Sequence, residues 1–260
     1  MPAYQEESFL GSGDLQVGIY DLETGLVLGE RDVGNATQFV INPPTLEKKE
    51  LIGMRRANYA QTIKSVITKK EQEIKFTLTD INRKNLALAM FGTDSVTSVE
   101  AGTTDATPET VVAYPGTWVK LAHRDIVDTV GAVPVVSGGL VEDTDYEVDY
   151  ETGRIYFFED TDVEAGDEHT VAYGWNAYDV YKIEANAVNK FECFLRMIGL
   201  DQANDRNCEV IVHKAQIEAS GDINWLTEDF AALEFNGKIL ATDDGTWEAK
   251  FYPTVVEEEA

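Results

Sequence analysis

Apolar and polar residues alternate along much of this chain. Leu15, Val17 and Ile19 are interleaved with Gln16, Gly18 and Tyr20, and Ile74, Phe76 and Leu78 with Lys75, Thr77 and Thr79. Near the end, Trp247, Ala249 and Phe251 are interleaved with Thr246, Glu248, Lys250 and Tyr252. Successive strand side chains point to opposite faces, so a period of two predicts half-buried strands at all three places. One helix stands out against this texture. Thr79 or Asp80 is placed to cap the run Ile81 to Phe91, and Gly92 to supply the left-handed residue after it. Ile81, Leu88 and Phe91, joined by Leu86 and Met90, form an apolar side for packing on a sheet.

Two turns are alike: Asp21-Leu22-Glu23-Thr24-Gly25 and Asp149-Tyr150-Glu151-Thr152-Gly153. Both suit a hairpin whose glycine takes positive φ at a bulge after a type I turn. Five residues are too few for an internal repeat, so the pair is one local solution used twice. Ser95 to Pro108 is rich in Thr, Ser, Gly and Ala and reads as a linker or long loop. Short strands between Gly- and Asp-rich turns follow as far as Asp179. The expected organisation is a discontinuous β core, 1–94 with 180–260, interrupted by a small inserted β-domain at 95–179.

Charge sharpens this division. The chain carries a net −26. The insert holds 18 acidic residues against Lys120, Arg124 and Arg154, a net of −15, which leaves −11 on the flanking parts. The stretch Asn42 to Lys70 runs the other way at +5, with Lys48, Lys49, Arg55, Arg56, Lys64, Lys69 and Lys70 against Glu47 and Glu50. Asn42-Pro43-Pro44 and Gly53 make its first part an exposed loop or long hairpin. Three readings are open for it: a docking arm for a neighbouring subunit, a solvated loop, or a grip on phosphates. The first is favoured, because Leu46, Leu51, Ile52, Met54 and Tyr59 interleave apolar groups with the charges, as protein interfaces do. A polyanion repels nucleic acid over most of its surface, which weighs against an ordinary DNA-binding protein.

Candidate chemistry is sparse. Asp143, Asp145, Glu147, Asp149 and Glu151 alternate with Thr144, Tyr146, Val148 and Tyr150, the pattern of a solvated strand face. Asp160, Asp162, Glu164 and Gly166 fail as a calcium loop, since positions six and twelve counted from Asp160 are Ala165 and Val171. His123, His169 and His213 are far apart, and Cys208 and His213 have the wrong spacing for joint ligation on a strand. Gly11-Ser12-Gly13 lacks the rest of a dinucleotide loop, and no nucleophile elbow, zinc-protease or P-loop pattern occurs. No catalytic, metal or cofactor residue is therefore assigned, and no enzyme is expected. Cys193 and Cys208 are read as small hydrophobes made in a reducing cytosol. MPAYQEESF does not read as a signal peptide, no apolar run approaches the roughly 20 residues of a bilayer span, and membrane binding is not expected.

In order along the chain, these residues resemble a siphophage major tail tube protein. Gly13-Asp14-Leu15 through Asp21-Leu22-Glu23-Thr24-Gly25, then Asp32-Val33-Gly34-Asn35-Ala36-Thr37, resemble that family's opening hairpin. The loop at 42–62 and the strand and helix from Ile74 to Gly92 follow. Leu195-Arg196-Met197-Ile198-Gly199, Cys208 to Glu218, Trp225 to Gly237, Lys238-Ile239-Leu240 and Asp243-Asp244-Gly245 are similar at the other end. The matches cover most of 10–94 and 190–252, and the insert departs from the smallest members.

The resemblance implies a mainly β fold: a tail-tube-type β-sandwich or barrel with one packed helix and a long inter-subunit loop, and the inserted β-domain at 95–179 is expected on its outer surface. It implies rings, most often of six, stacked into a hollow virion tube that conducts DNA without binding it specifically. The implied partners are the protein itself and tape-measure, tail-tip and tail-terminator proteins, with assembly in the host cytoplasm. It places the inter-ring loop at Lys48, Lys49, Leu51, Ile52, Arg55, Arg56 and Tyr59. The alternatives are an inner tube protein of a contractile tail or secretion system, or a β-sandwich adhesion or carbohydrate-binding module.

Overall fold

The computed structural model describes residues 8–104, 106–127, 134–159, 163–226, 228 and 230–252. The chain is mainly β, 55% strand and 3% helix, with one helix among the described residues. It divides into two compact units, Met1–Asp94 with Ile183–Ala260, and Ser95–Lys182.

The first unit opens with β1 (Gly11–Tyr20), β2 (Val27–Asp32), β3 (Ala36–Ile41), β4 (Thr45–Ile52), β5 (Thr62–Glu71), β6 (Glu73–Leu78) and α1 (Arg83–Ala89). The chain leaves through β7 (Thr93–Val99) and returns through its partner β16 (Tyr178–Glu184). Between them lie β8 (Gly102–Thr103), β9 (Glu109–Val112), β10 (Trp118–Lys120), β11 (Val135–Val136), β12 (Tyr146–Asp149), β13 (Arg154–Phe157), β14 (Glu168–Ala172) and β15 (Gly174–Trp175). The first unit is completed by β17 (Phe191–Asp201), β18 (Arg206–Ala219), β19 (Leu233–Ile239) and β20 (Trp247–Tyr252).

The main sheet runs β2-β1-β17-β18-β19-β6-β3. A flat path of seven strands would hold its two outer strands about 29 Å apart. Yet β2 and β3 are joined by only Val33, Gly34 and Asn35, and four Cα steps reach no more than about 14 Å. The sheet must therefore roll until its edges approach. Val33 closes the seam: it is fully buried, and its N–H donates to the Leu15 carbonyl at 3.1 Å. The long strand β18 is shared, its Asn207–Val212 half pairing β20 and its Ala215–Ala219 half pairing β19.

The alternation at Leu15 and Val17, and at Ile74, Phe76 and Leu78, does point inward. Phe76 on β6 and Phe235 on β19 are direct cross-strand partners, stacked with ring centroids 4.7 Å apart. β20 reverses the expectation. The strand exists, but Trp247, Ala249 and Phe251 are exposed, as is Tyr252, and Glu248 and Lys250 are half-buried. No strand pairs with its far side among the described residues, and the burial stops at its β18 partners: Cys208 and Val212 are buried, whereas Phe251 and Trp247 opposite them are exposed.

The helix is shorter than its sequence pattern. Asn82, not Thr79 or Asp80, is the cap, its Oδ1 accepting from the Asn85 N–H at 2.9 Å. Ile81 consequently precedes the helix and is exposed, while Leu88 is buried and Phe91 stacks on Phe191 at 6.0 Å. The left-handed residue is Phe91 (φ 49), not Gly92. Gly92 is required for a different reason: a Cβ there would lie 2.6 Å from the Glu184 carbonyl oxygen. Seven residues do not make a stable helix alone. Burial of Ala87, Leu88 and Ala89 holds it on the sheet, with Asn85 Nδ2 donating to the carbonyls of Val33 and Asp80.

The second unit pairs two three-stranded sheets, β10-β13-β12 and β11-β14-β9, around Tyr173, Phe157, Ile155, Leu121 and Val171. The stretch expected to be a linker, Ser95 to Pro108, contributes most of β7 and all of β8. Its β-branched threonines and valines suit a strand once a partner supplies the hydrogen bonds. The carboxylate ladder is also shorter than its alternation. Only Glu147 and Asp149 lie on β12; Asp143 is left-handed (φ 62), and Asp145 accepts from the Val141 N–H within a turn. Asp160 and Asp162 lie outside the described residues.

The two similar turns fold alike. Gly25 and Gly153 take φ 69 and 67, and each N–H donates to the carbonyl of the aspartate four residues earlier, at 2.8 and 2.9 Å. The aspartate side chains cap the turns: Asp21 Oδ1 accepts from the Glu23 N–H, and Asp149 Oδ1 from the Thr152 N–H.

Candidate functional site

The basic stretch folds as a hairpin standing apart from the main sheet. Among the described residues, β4 and β5 pair only with each other, and every β4 side chain and nearly every β5 side chain is exposed. The register explains why neither face is dry. One face carries the pairs Leu46–Lys70, Lys48–Ile67, Glu50–Ser65 and Ile52–Thr62; the other carries Glu47–Lys69, Lys49–Val66 and Leu51–Lys64. Apolar and cationic groups are thus mixed on both faces, and neither face can be buried without also burying lysine charge.

The tip is ordered. The Gly53 N–H donates to the Gln61 carbonyl at 2.7 Å, and the Ala60 N–H returns a bond to the Gly53 carbonyl at 2.9 Å. The Asn58 N–H donates to the Arg55 carbonyl at 3.0 Å. Gly53 is buried beneath this turn, and a Cβ there would sit 2.3 Å from the Asn58 carbonyl oxygen. Met54, Arg55, Arg56 and Tyr59 are left outside, with Met54 78% and Tyr59 68% exposed.

Most of the arm's charge is uncompensated. Lys69 contacts Glu71 at 2.8 Å and Glu47 at 3.7 Å, and the Glu71 hydrogen bond raises its pKa above the ordinary lysine value. Among the described residues, no ion pair joins Lys48, Lys49, Arg55 or Arg56. All seven residues singled out from the sequence therefore share one element: Lys48, Lys49, Leu51 and Ile52 on β4, and Arg55, Arg56 and Tyr59 at the tip. The basic stretch read from the sequence runs to Lys70 and includes Lys64, but the loop implied by the resemblance ends at 62 and leaves out Ile63, Val66 and Ile67 on the return strand. The β-branched run from Thr62 to Thr68 was the signal for it.

The unit also has open edges. Among the described residues, β2 and β3 end the main sheet, and β20 pairs on one side only. Unpaired edges template further pairing unless blocked. Arg196 on β17 organises the acidic surface near β2, bonding Glu30 at 2.7 and 3.1 Å and Glu209 at 2.6 Å.

The remaining candidate groups are scattered. His123 stacks on Trp175 at 3.6 Å, the His169 ring lies 3.0 Å from the Ser137 carbonyl, and His213 is on β18. No cluster of three His, Cys, Asp or Glu suited to a metal occurs among the described residues. Cys193 and Cys208 are free and buried, and desolvation pushes the Cys193 thiol up to about 12. No helix among the described residues is long and apolar enough to cross a membrane.

No curated protein matches the chain. A family model matches residues 8–250, nearly the whole chain, and the protein belongs to that family, described as Protein of unknown function UCP028589.

Proposed function

We propose that this protein is a structural subunit that polymerises through its basic hairpin, as the stacked-ring tube of a long non-contractile phage tail. The observation that carries this reading is the arm of β4 and β5. A two-stranded ribbon is at best marginally stable in water, and one exposing Leu51, Ile52, Ile63, Val66 and Ile67 is most simply explained by a covering surface in the working assembly. Charge supports a second copy as that surface. Outside 42–70, the first unit is net −17, opposite in sign to the +5 arm.

The open edges of β2, β3 and β20 fit the same reading, because neighbours in a ring satisfy strand edges as closure satisfies those of a barrel. A tube that conducts DNA must hold it without fixed contacts. Carboxylates toward the duplex deter phosphate binding, whereas each lysine paired to a phosphate would release counterions and create a sticking point. The arm's cations are best used between subunits, away from the duplex.

The reading is tested by negative-stain electron microscopy of the purified protein across concentration, with and without tail-tip extracts. Stacked rings are expected. The quadruple variant Lys48→Glu, Lys49→Glu, Arg55→Glu, Arg56→Glu should keep the wild-type circular dichroism and thermal midpoint but form no stacks. Normal tubes from that variant would remove the arm from the interface. A wild-type protein that stays monomeric under every condition would sink the reading.

A further inference from the structure

Between β2 and α1 the first unit has an open cleft of about 500 Å³. Its floor is apolar, built from the buried Val17, Leu88 and Phe191 with Ile19 beside them. Its rim includes Leu28, 72% exposed, and Lys84. One charged group in its wall is only half satisfied. Arg31 Nη1 donates to Asn85 Oδ1 at 2.7 Å, but its Nη2 is buried without any hydrogen-bond partner.

Two carboxylates also line the cleft, and although the Asp94 charge acts on Arg31, neither hydrogen-bonds it among the described residues. Asp94 is paired with Arg83 at 3.1 Å, and Glu30 with Arg196 at 2.7 Å. A guanidinium stays protonated when buried, so the unmatched N–H donors favour an anion over any neutral group. The apolar floor favours an anion carried on a hydrocarbon stem.

We infer that this cleft is an acceptor for an acidic side chain of a second copy of this chain, which reaches Arg31 as its strand lies along the β2 edge. The choice of occupant rests on three features. Among the described residues β2 pairs only with β1 and leaves its other side open; Leu26 and Leu28 stand exposed on and beside it; and carboxylates are the commonest charged groups a second copy presents, 47 against 21 basic residues. The inference rests on the self-assembly reading and divides its labour: the arm joins copies in one direction and the Arg31 cleft in another. Arg31 then gains the second partner its Nη2 lacks, and the exposed leucines are covered.

The test uses the full-length protein and the rim residue Leu28, whose exposure separates assembly from folding. Leu28→Glu places a repelling charge at the cleft mouth, and Leu28→Lys places an attracting charge on a stem of similar length. By sedimentation velocity, Leu28→Glu is expected to raise the concentration needed for assembly at least tenfold, while Leu28→Lys leaves it unchanged or lowers it, both with wild-type thermal midpoints. Arg31→Met, which also strips a partner from Asn85, should behave like Leu28→Glu. Equal weakening by Glu and Lys at position 28 would show that shape and not a carboxylate is recognised, and overturns the inference. Wild-type assembly by Leu28→Glu overturns it too while leaving the assembly reading standing. A wild-type chain that never assembles removes both.

Discussion

Two hairpins in this protein are built from the same kind of sequence and have opposite fates. In the second unit, β12 and β13 send Tyr146, Val148, Ile155 and Phe157 into a core and keep Glu147 and Tyr156 outward. A third strand, β10, flanks them. In the first unit, β4 and β5 are longer, yet among the described residues no third strand joins them and no face is buried. The difference lies in how the polar residues are sorted. Across β12 and β13 Tyr146, Val148, Ile155 and Phe157 share one face, and Tyr156 is the one aromatic on the other; across β4 and β5 each face mixes leucine, isoleucine or valine with lysine. Sorted faces bury within their own unit. Mixed faces suit a surface that brings both apolar area and carboxylates.

The largest expected effect is at the sorted hairpin. Phe157→Ala removes a fully buried ring and should cost about 3–5 kcal/mol, measured by urea denaturation of the full chain. A cost under about 1 kcal/mol would mean that this hairpin is no better anchored than the arm.

Next is its turn. Gly153 is left-handed, and an added Cβ would lie 1.9 Å from the His123 carbonyl oxygen, so Gly153→Ala should cost more than about 2 kcal/mol. Gly25 has the same conformation with nothing within 4 Å, and Gly25→Ala should cost only about 1 kcal/mol. Equal costs would show that the turn conformation, not the close approach, sets the requirement.

A smaller effect concerns Asp149. Hydrogen bonds from Thr152, with Arg154 beside it, hold its carboxyl down at about 2 against an ordinary 3.8. A depressed folded-state value contributes stability that is complete above the unfolded value and is lost as pH falls through the folded one. Wild type should therefore exceed Asp149→Asn by on the order of 1 kcal/mol at pH 6, and the gap should close between about pH 4 and 2. A gap that does not change with pH would assign the effect to geometry instead of charge.

The smallest effect returns to the arm. Leu51→Ala should change the stability of the isolated subunit by less than about 0.5 kcal/mol, because the side chain is already 59% exposed. A large loss would reveal packing in the subunit itself and break the contrast.

Legibility followed locality. The glycines of both turns, the inward faces of β1 and β6, and the grouping of basic residues at 42–70 all depend on near neighbours in sequence, and all were readable. The helix was readable as a helix, but its start was not: Asn82 won over Thr79 and Asp80, and Thr79 is instead bonded to Asn35, whose carbonyl accepts its N–H. The Arg31 cleft was not readable at all. Its wall comes from β1, β2, α1 and the approach to β17, and nothing near Arg31 in sequence announces that Asn85 will satisfy one nitrogen and leave the other.

The sequence by itself determined that this is a mainly β chain with one helix, and that its charge is divided between an acidic body and a basic stretch. Those properties follow from side-chain period and composition, which each segment carries with it. Only the tertiary structure decided which faces are inside. Trp247, Ala249 and Phe251 alternate as cleanly as Ile74, Phe76 and Leu78, yet only the latter are buried. Period two says that a strand has two different faces, and burial depends on whether a distant element arrives to cover one of them.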